Sequence, residues 1–328
     1  MVRKPVASAP RLAFLTTLLA LVMLGATQAQ AQQQGPDTAR AANLGVEDES
    51  DFEQTEWRYQ NAIIARINPL GLINQFQIGF RYNLTDSESL LRKGTYLYAA
   101  FAPQVSPAFA RAGWLLEAQP LSILRLSALY ETAYNFGTFD TIQSFPSPLA
   151  EHSDRLMDEQ SAEASYATGG HVMTLSALLQ LKGGPIAARA NYRAIWQTLN
   201  LRGDDTVFYD LQMDILAPNG GWLHTVDTDL LYVTGGPITA GLRHTVVSAA
   251  YPDSSFITGE TREGIGSPTH RAGPIFIYRF NEREHTRFNQ PTLFVIANWW
   301  LEHRYRTGQE ISQALPYAIV GFAFNGNP

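Results

Sequence analysis

Ten arginines stand in stretches where polar and apolar residues alternate: Arg58, Arg66, Arg81, Arg111, Arg125, Arg189, Arg193, Arg243, Arg279 and Arg304. Glu117, Glu131, Asp227, Asp229 and Glu302 occupy the same phase. If that phase faces one enclosed space, ten arginines against five acids give it a net charge of +5. Rings of like charge set ion selectivity, so a bore lined in this way favours small anions. The same residues allow a second arrangement. The planar arginine fork pairs with carboxylates in a fixed geometry, and an interior cross-linked in this way is rigid and closed. The residues alone leave both open.

Other chemistry has thinner support. Histidines occur at 152, 171, 224, 244, 270, 285 and 303. There is no Gly-x-Ser-x-Gly elbow for a serine nucleophile and no His-Glu-x-x-His helix for zinc. His244 and His303 fall on the apolar phase beside Arg243 and Arg304. They are the candidates for a Ser/His enzyme that modifies lipid, the less favoured reading. Glu282, Glu284 and His285 could ligate a metal, but Arg283 and Arg287 among them suggest a charged turn. The segment 135–169 is acidic, with Asp140, Glu151, Asp154, Asp158, Glu159 and Glu163 against Arg155. Carboxylates suit calcium and magnesium, yet EF-hand spacing is missing, and a solvated loop is the simpler account. No metal and no cofactor is implied.

The elements that must position these residues are extended. In Gln75–Leu84, Phe76, Ile78, Phe80, Tyr82 and Leu84 share one face and Gln75, Gln77, Gly79, Arg81 and Asn83 the other. This is a period of two. The same split recurs over 121–134, 186–198, 225–233, 293–304 and 318–324. Globular strands average ~5–6 residues, whereas a tilted membrane strand needs about 9–11. Tyr82, Trp114, Tyr130, Trp196, Tyr232, Tyr278, Trp299 and Phe324 fall near the ends of the apolar faces, as in an interfacial girdle. Twelve strands are predicted, near 57–69, 72–84, 94–104, 108–118, 121–134, 170–182, 186–198, 222–234, 237–250, 270–281, 291–304 and 314–324, with fourteen as the fallback. Gln119-Pro120, Gly183-Gly184-Pro185 and Gly235-Gly236-Pro237 are the short turns of one side. The long segments 135–169, 199–221 and 251–269 lie on the other, the asymmetry of a membrane barrel. Val207–Leu216 also alternates, and the loop count assigns it to an external loop or to strand extensions.

The first 31 residues have the form of a signal peptide. Arg3, Lys4 and Arg11 precede the apolar run Leu12–Leu24, and Ala29-Gln30-Ala31 supplies the cleavage pattern. The run is short for a membrane anchor, which needs about 20 residues, and no cysteine follows it to carry a lipid. Removing the segment takes the chain from −6 to −9, which disfavours a nucleic-acid partner. With no cysteines, disulfides and thiol chemistry are excluded. Residues 32–56 are polar and acidic, a flexible periplasmic leader. No later stretch is apolar for long enough to be a spanning helix.

From Trp57 to Phe324 the chain resembles a medium-sized bacterial outer-membrane β-barrel protein, of porin-like type. Phe322 and Phe324 match the terminal aromatic of such chains, although Asn325-Gly326-Asn327-Pro328 follows. The resemblance implies an all-β antiparallel barrel over 57–328, in contact with outer-membrane lipid and the barrel-assembly machinery. It implies a porin-like or purely structural role, and the arginine-rich phase adds small anionic solutes as the expected cargo. Long outer loops leave surface recognition as a third reading. No residue roles can be carried over, because no specific family is matched.

Overall fold

The computed structural model describes residues 53–87, 89–138, 142–280, 287–308 and 314–328, without the side chains of 161–163. The signal segment 1–31, the leader up to residue 52, Asp140 and the Glu282–Glu284–His285 group lie outside the described residues.

One antiparallel sheet of twelve strands closes on itself. It begins with β1 (Thr55–Ile67) and β2 (Gly71–Asn83). The third strand is in two pieces, β3 (Tyr96–Phe101) and β4 (Gln104–Val105). It is followed by β5 (Phe109–Leu121) and β6 (Leu124–Asn135). A short β7 (Ser144–Phe145) and a helix, α1 (Asp154–Ala164), precede β8 (Thr168–Gly183) and β9 (Ile186–Leu199). The hairpin β10 (Val207–Asp210) and β11 (Ile215–Pro218) pairs with β7 in a separate three-stranded sheet. The wall is completed by β12 (Trp222–Val233), β13 (Ile238–Ala250), β14 (Thr269–Arg279), β15 (Asn289–Glu302) and β16 (Tyr317–Gly326). Closure is made by β1, which pairs with β2 on one side and β16 on the other, Ile63 opposite Phe322 and Ala65 opposite Val320.

All twelve predicted strands are present. Both ends of the sheet lie at one rim. The described residues of 136–138, 142–167, 200–221, 251–268, 303–308 and 314–316 gather at the opposite rim, here called the outer mouth by the usual asymmetry. Two turns match expectation. Gly184 (φ 59°) and Gly235 (φ 77°) supply left-handed backbone there. Gln119-Pro120 is not a turn: β5 runs through it with a register shift, and the reversal falls at Ser122-Ile123.

Burial alternates along nearly every barrel strand, and the outward phase is apolar. Trp114 is 68% and Leu242 62% exposed, together with Leu116, Leu230 and Leu301. A water-soluble protein does not display a belt of that extent. Around a closed barrel it is the lipid-facing band, and the chain is a transmembrane barrel of the outer-membrane type. All eight girdle aromatics point outward. Tyr82, Tyr232, Tyr278 and Phe324 lie towards the inner rim, and Trp196 and Trp299 towards the outer. Trp114 and Tyr130 are mid-strand, so they belong to the band and not to a girdle.

The inward phase has two characters. From β14 round to β2 its middle is apolar, with polar and charged residues towards the strand ends: Ile275, Ile277, Phe294, Ile296, Ile319, Ile64 and Ile73 form a cluster that meets Ala187 and Leu231. A Cβ on Gly321 would lie 2.0 Å from the ring of Phe294, so glycine there admits the ring. From β2 round to β13 the inward phase is polar, and this half carries most of the charged residues.

The lipid-facing assignment predicts that Leu242→Arg lowers unfolding stability in lipid vesicles by about 2–4 kcal/mol, the cost of a charge near the bilayer midplane. Denaturant titration measures it.

Candidate functional site

The polar half of the lumen is built by cross-strand register. Asp229 on β12 lies directly opposite Arg189 on β9 and Arg243 on β13. Arg189 Nε donates to Asp229 Oδ2 at 2.9 Å, and Arg243 donates from Nε to Oδ1 at 2.6 Å and from Nη2 to Oδ2 at 2.9 Å. Two residues towards the outer mouth, Asp227 accepts from Arg193 Nη2 (3.0 Å) and from the Thr245 hydroxyl (2.6 Å). All these side chains are buried. On the facing wall Gln75 donates to Gln104 (3.1 Å), which donates to Glu131 (2.6 Å). Glu117 accepts from the Tyr96 hydroxyl at 2.6 Å. Arg81 lies 4.0 Å from the Tyr96 ring centroid and 3.5 Å from Glu56, which also pairs with Arg58 at 2.8 Å. Between the walls is a cavity of about 70 Å³ bordered by Gln75, Gln77, Gln104, Glu117, Thr174 and Arg193, among others.

Most residues expected to face the bore do so: Arg58, Arg66, Arg81, Arg111, Arg125, Arg189, Arg193, Arg243, Arg279, Glu117, Glu131, Asp227 and Asp229. Arg304 does not. It follows the end of β15 and donates to the Leu149 carbonyl at the outer mouth. Glu302, the last residue of β15, is exposed and sits opposite His270 across a register shift, so the phase is broken there. On the same inward phase stand Arg271 and Glu56, which were not among the residues expected there. Arg271 shares its phase with Arg279 on β14, which was the available signal. Glu56 was hidden because the barrel starts at Thr55, inside the stretch expected to be leader.

The outer mouth is plugged. Val207–Leu216, expected as an external loop or strand extension, forms the hairpin β10–β11 and sits in the opening. Phe208, Met213 and Ala217 pack on the inward residues Val172, Ile195, Leu223 and Val247. The tip is pinned from the wall. Arg66 donates to the carbonyls of Leu211 (3.0 Å) and Gln212 (3.3 Å), and Gln197 to Asp210 (2.9 Å). Above it Phe145, Met157, Val207, Tyr209, Leu216 and Tyr251 make a second apolar layer.

A charged latch holds the tip. Arg306 pairs with Asp214 on the hairpin and with Asp154 at the start of α1, the latter at 2.8 and 2.9 Å. Tyr209 donates to Asp214 at 2.5 Å. Burial works to raise the Asp214 carboxyl, but Arg306, with the Tyr209 hydroxyl, outweighs it and holds the group well below the usual carboxylate range. Asp154 is therefore part of a structural ion pair. Among the described residues no three acids or histidines converge as a metal site.

The histidines divide. His244 faces outward, 3.3 Å from His270. His303 is not lipid-facing. It is buried in the mouth, donates from Nε2 to the Asp214 carbonyl (2.7 Å), accepts at Nδ1 from the Tyr305 N–H (3.1 Å) and packs on Trp300. With one nitrogen donating and the other accepting, its ring is neutral. His244 and His303 are thus on opposite sides of the wall and form no common site.

No protein-family model and no curated protein matches the chain in sequence. Among solved structures it is similar to CdiB from Acinetobacter baumannii, with 10% identity and a TM-score of 0.37 over 85% of this chain and 61% of that one. The chain thus spans less than two thirds of CdiB's length. It is similar to the translocator domain of autotransporter NalP from Neisseria meningitidis, with 12% identity and a TM-score of 0.35 over 94% and 96%. The CymD monoaromatic hydrocarbon channel gives 9% identity and a TM-score of 0.37 over 89% and 91%.

Two outcomes follow. Asp229→Ala leaves Arg189 and Arg243 buried without their shared acid and should cost about 3–5 kcal/mol, measurable by denaturant titration. Plug docking should weaken in acid. Burial pushes His152, under α1, down to about 4, and burial likewise lowers His303. The undocked loops take up protons at about 6.5. Docking is therefore fully present above that pH and is lost as pH falls towards 4, by about 3 kcal/mol for His152. Proteolysis of 200–221 in the purified protein should accelerate over that window.

Proposed function

We propose that this barrel is a resting-closed outer-membrane pore that passes small anions when its hairpin plug withdraws. The observation that carries the reading is the hairpin 207–218 seated in the mouth of the barrel, and the excess of arginines over acids on the enclosed phase supports the anion preference. The tip of the plug is held by hydrogen bonds and ion pairs, contacts that water can replace, and its sides by apolar packing that withdrawal must break. Behind it the enclosed face presents arginines on strands in both halves of the barrel, from β1 round to β14. Repulsion of cations by that excess gives the anion preference. The apolar half narrows the path and limits passage to small solutes.

A structural barrel is the second reading, and a specific observation favours it. The Arg189–Asp229–Arg243 group and the dry cluster around Phe294 fill much of the cross-section with buried side chains. A lipid-modifying enzyme is not proposed, because His244 and His303 lie on opposite sides of the wall.

Planar-bilayer recording separates the two. The wild-type chain should be closed most of the time. A variant with 208–217 replaced by a short Gly-Ser linker should carry steady current, with a reversal potential in a KCl gradient displaced towards that of chloride. Silence of the linker variant across voltages, with the barrel folded, would sink the pore and leave the structural reading.

A further inference from the structure

We propose that Arg271, Trp300, Tyr317 and Asn298 form a binding site for a small monoanion of halide size, on the inner wall just beneath the plug. This rests on the anion-preferring lumen above and names where in it an anion stops.

The four residues come from three consecutive strands. Arg271 on β14 is opposite Trp300 on β15, and Asn298 on β15 is opposite Tyr317 on β16. All four are buried, and Arg271 is 1% exposed. Its guanidinium lies 4.0 Å from the centroid of the Tyr317 ring and 5.2 Å from that of Trp300. Those ring faces attract the charge but accept none of its N–H groups in line. Nε, Nη1 and Nη2 of Arg271 all lack a hydrogen-bond partner among the described residues, as do the Trp300 indole Nε1, the Tyr317 hydroxyl and both polar atoms of Asn298.

That concentration is unlike the rest of the lumen. Asp229 serves Arg189 and Arg243, Asp227 serves Arg193, and carbonyl groups of the plug serve Arg66. Buried polar groups are nearly always paired, and a buried charge most of all. The unmet groups here are predominantly donors: guanidinium, indole N–H, phenol O–H and carboxamide N–H. A donor set around one positive charge with no hydrogen-bonded acid matches an anion, and the aromatic walls suit one that is weakly hydrated. Arg66, also over the Tyr317 ring at 5.6 Å, adds a second positive charge nearby. The groups are closely packed, which favours a one-atom anion over phosphate.

The test is bromide soaked into crystals of the full chain, located by anomalous scattering, together with chloride binding to the detergent-solubilised protein by ³⁵Cl line broadening. A bromide peak within hydrogen-bond reach of Arg271 and Trp300 is expected. Excess chloride broadening should vanish in Arg271→Gln and weaken about tenfold in Tyr317→Phe, which removes one donor to a charged partner. Arg155→Gln, exposed on α1 outside the bore, should leave it unchanged. If Arg271→Gln does not fold, Tyr317→Phe and the bromide map decide. A water in place of bromide, or broadening equal in wild type and Tyr317→Phe, would overturn the site. An anion-biased current without such binding would remove this site alone. Binding without current would remove the pore reading alone.

Discussion

A sheet inside a bilayer can have no free edge, because an unpaired N–H or C=O in hydrocarbon costs several kcal/mol. Closing β1 against β16 meets that constraint here, and the rest of the structure follows from it. Once the sheet closes, each strand has one lipid face and one enclosed face, and every residue is assigned to one of them by parity. Leu242 and Arg243 are adjacent in sequence and meet two different solvents. Leu242 is held outward by lipid. Arg243 must find its partners inside, and it finds Asp229 from the neighbouring strand.

The enclosed face has little water available, so its groups must satisfy one another or remain costly. The barrel answers this in three ways. From β14 round to β2 it uses Ile and Phe, which ask for nothing. From β5 round to β13 it uses cross-strand pairs and relays, of which Asp229 between two arginines is the most complete. At the outer mouth it uses its own chain. The hairpin brings apolar side chains to the upper wall and backbone carbonyls to Arg66, while Arg306 ties Asp214 to α1. Arg271 falls outside all three solutions, and for that reason it stands out.

Much of this was legible in the sequence, and the failures have physical causes. The Phe76–Leu84 alternation located β2 because its two faces meet lipid and polar lumen. In β14 to β16 alternation is weaker, since Ile275, Ile277, Phe294, Ile296 and Ile319 face a dry interior. The apolar half of the lumen was therefore unreadable from polarity. Arg304 and Glu302 were misplaced because parity was carried past the end of β15, where a register shift and a turn intervene. The strand-like pattern of Val207–Leu216 was real. Its two faces meet the barrel wall and the outer loops instead of lipid and lumen, so periodicity revealed a strand but not its place. The latch joins residues 154, 214 and 306, and no local pattern encodes contacts of such separation.

The central claim is that the lumen is closed from the outer side by the hairpin. The absence of cysteines allows a direct measurement. Ser127→Cys and Ser176→Cys each place a single thiol on the enclosed wall. A membrane-impermeant thiol reagent is then added to the outer face of cells carrying either variant. The account predicts slow labelling at both positions, rising to rapid labelling when 208–217 is replaced by a short linker. Rapid labelling with the hairpin intact would contradict it.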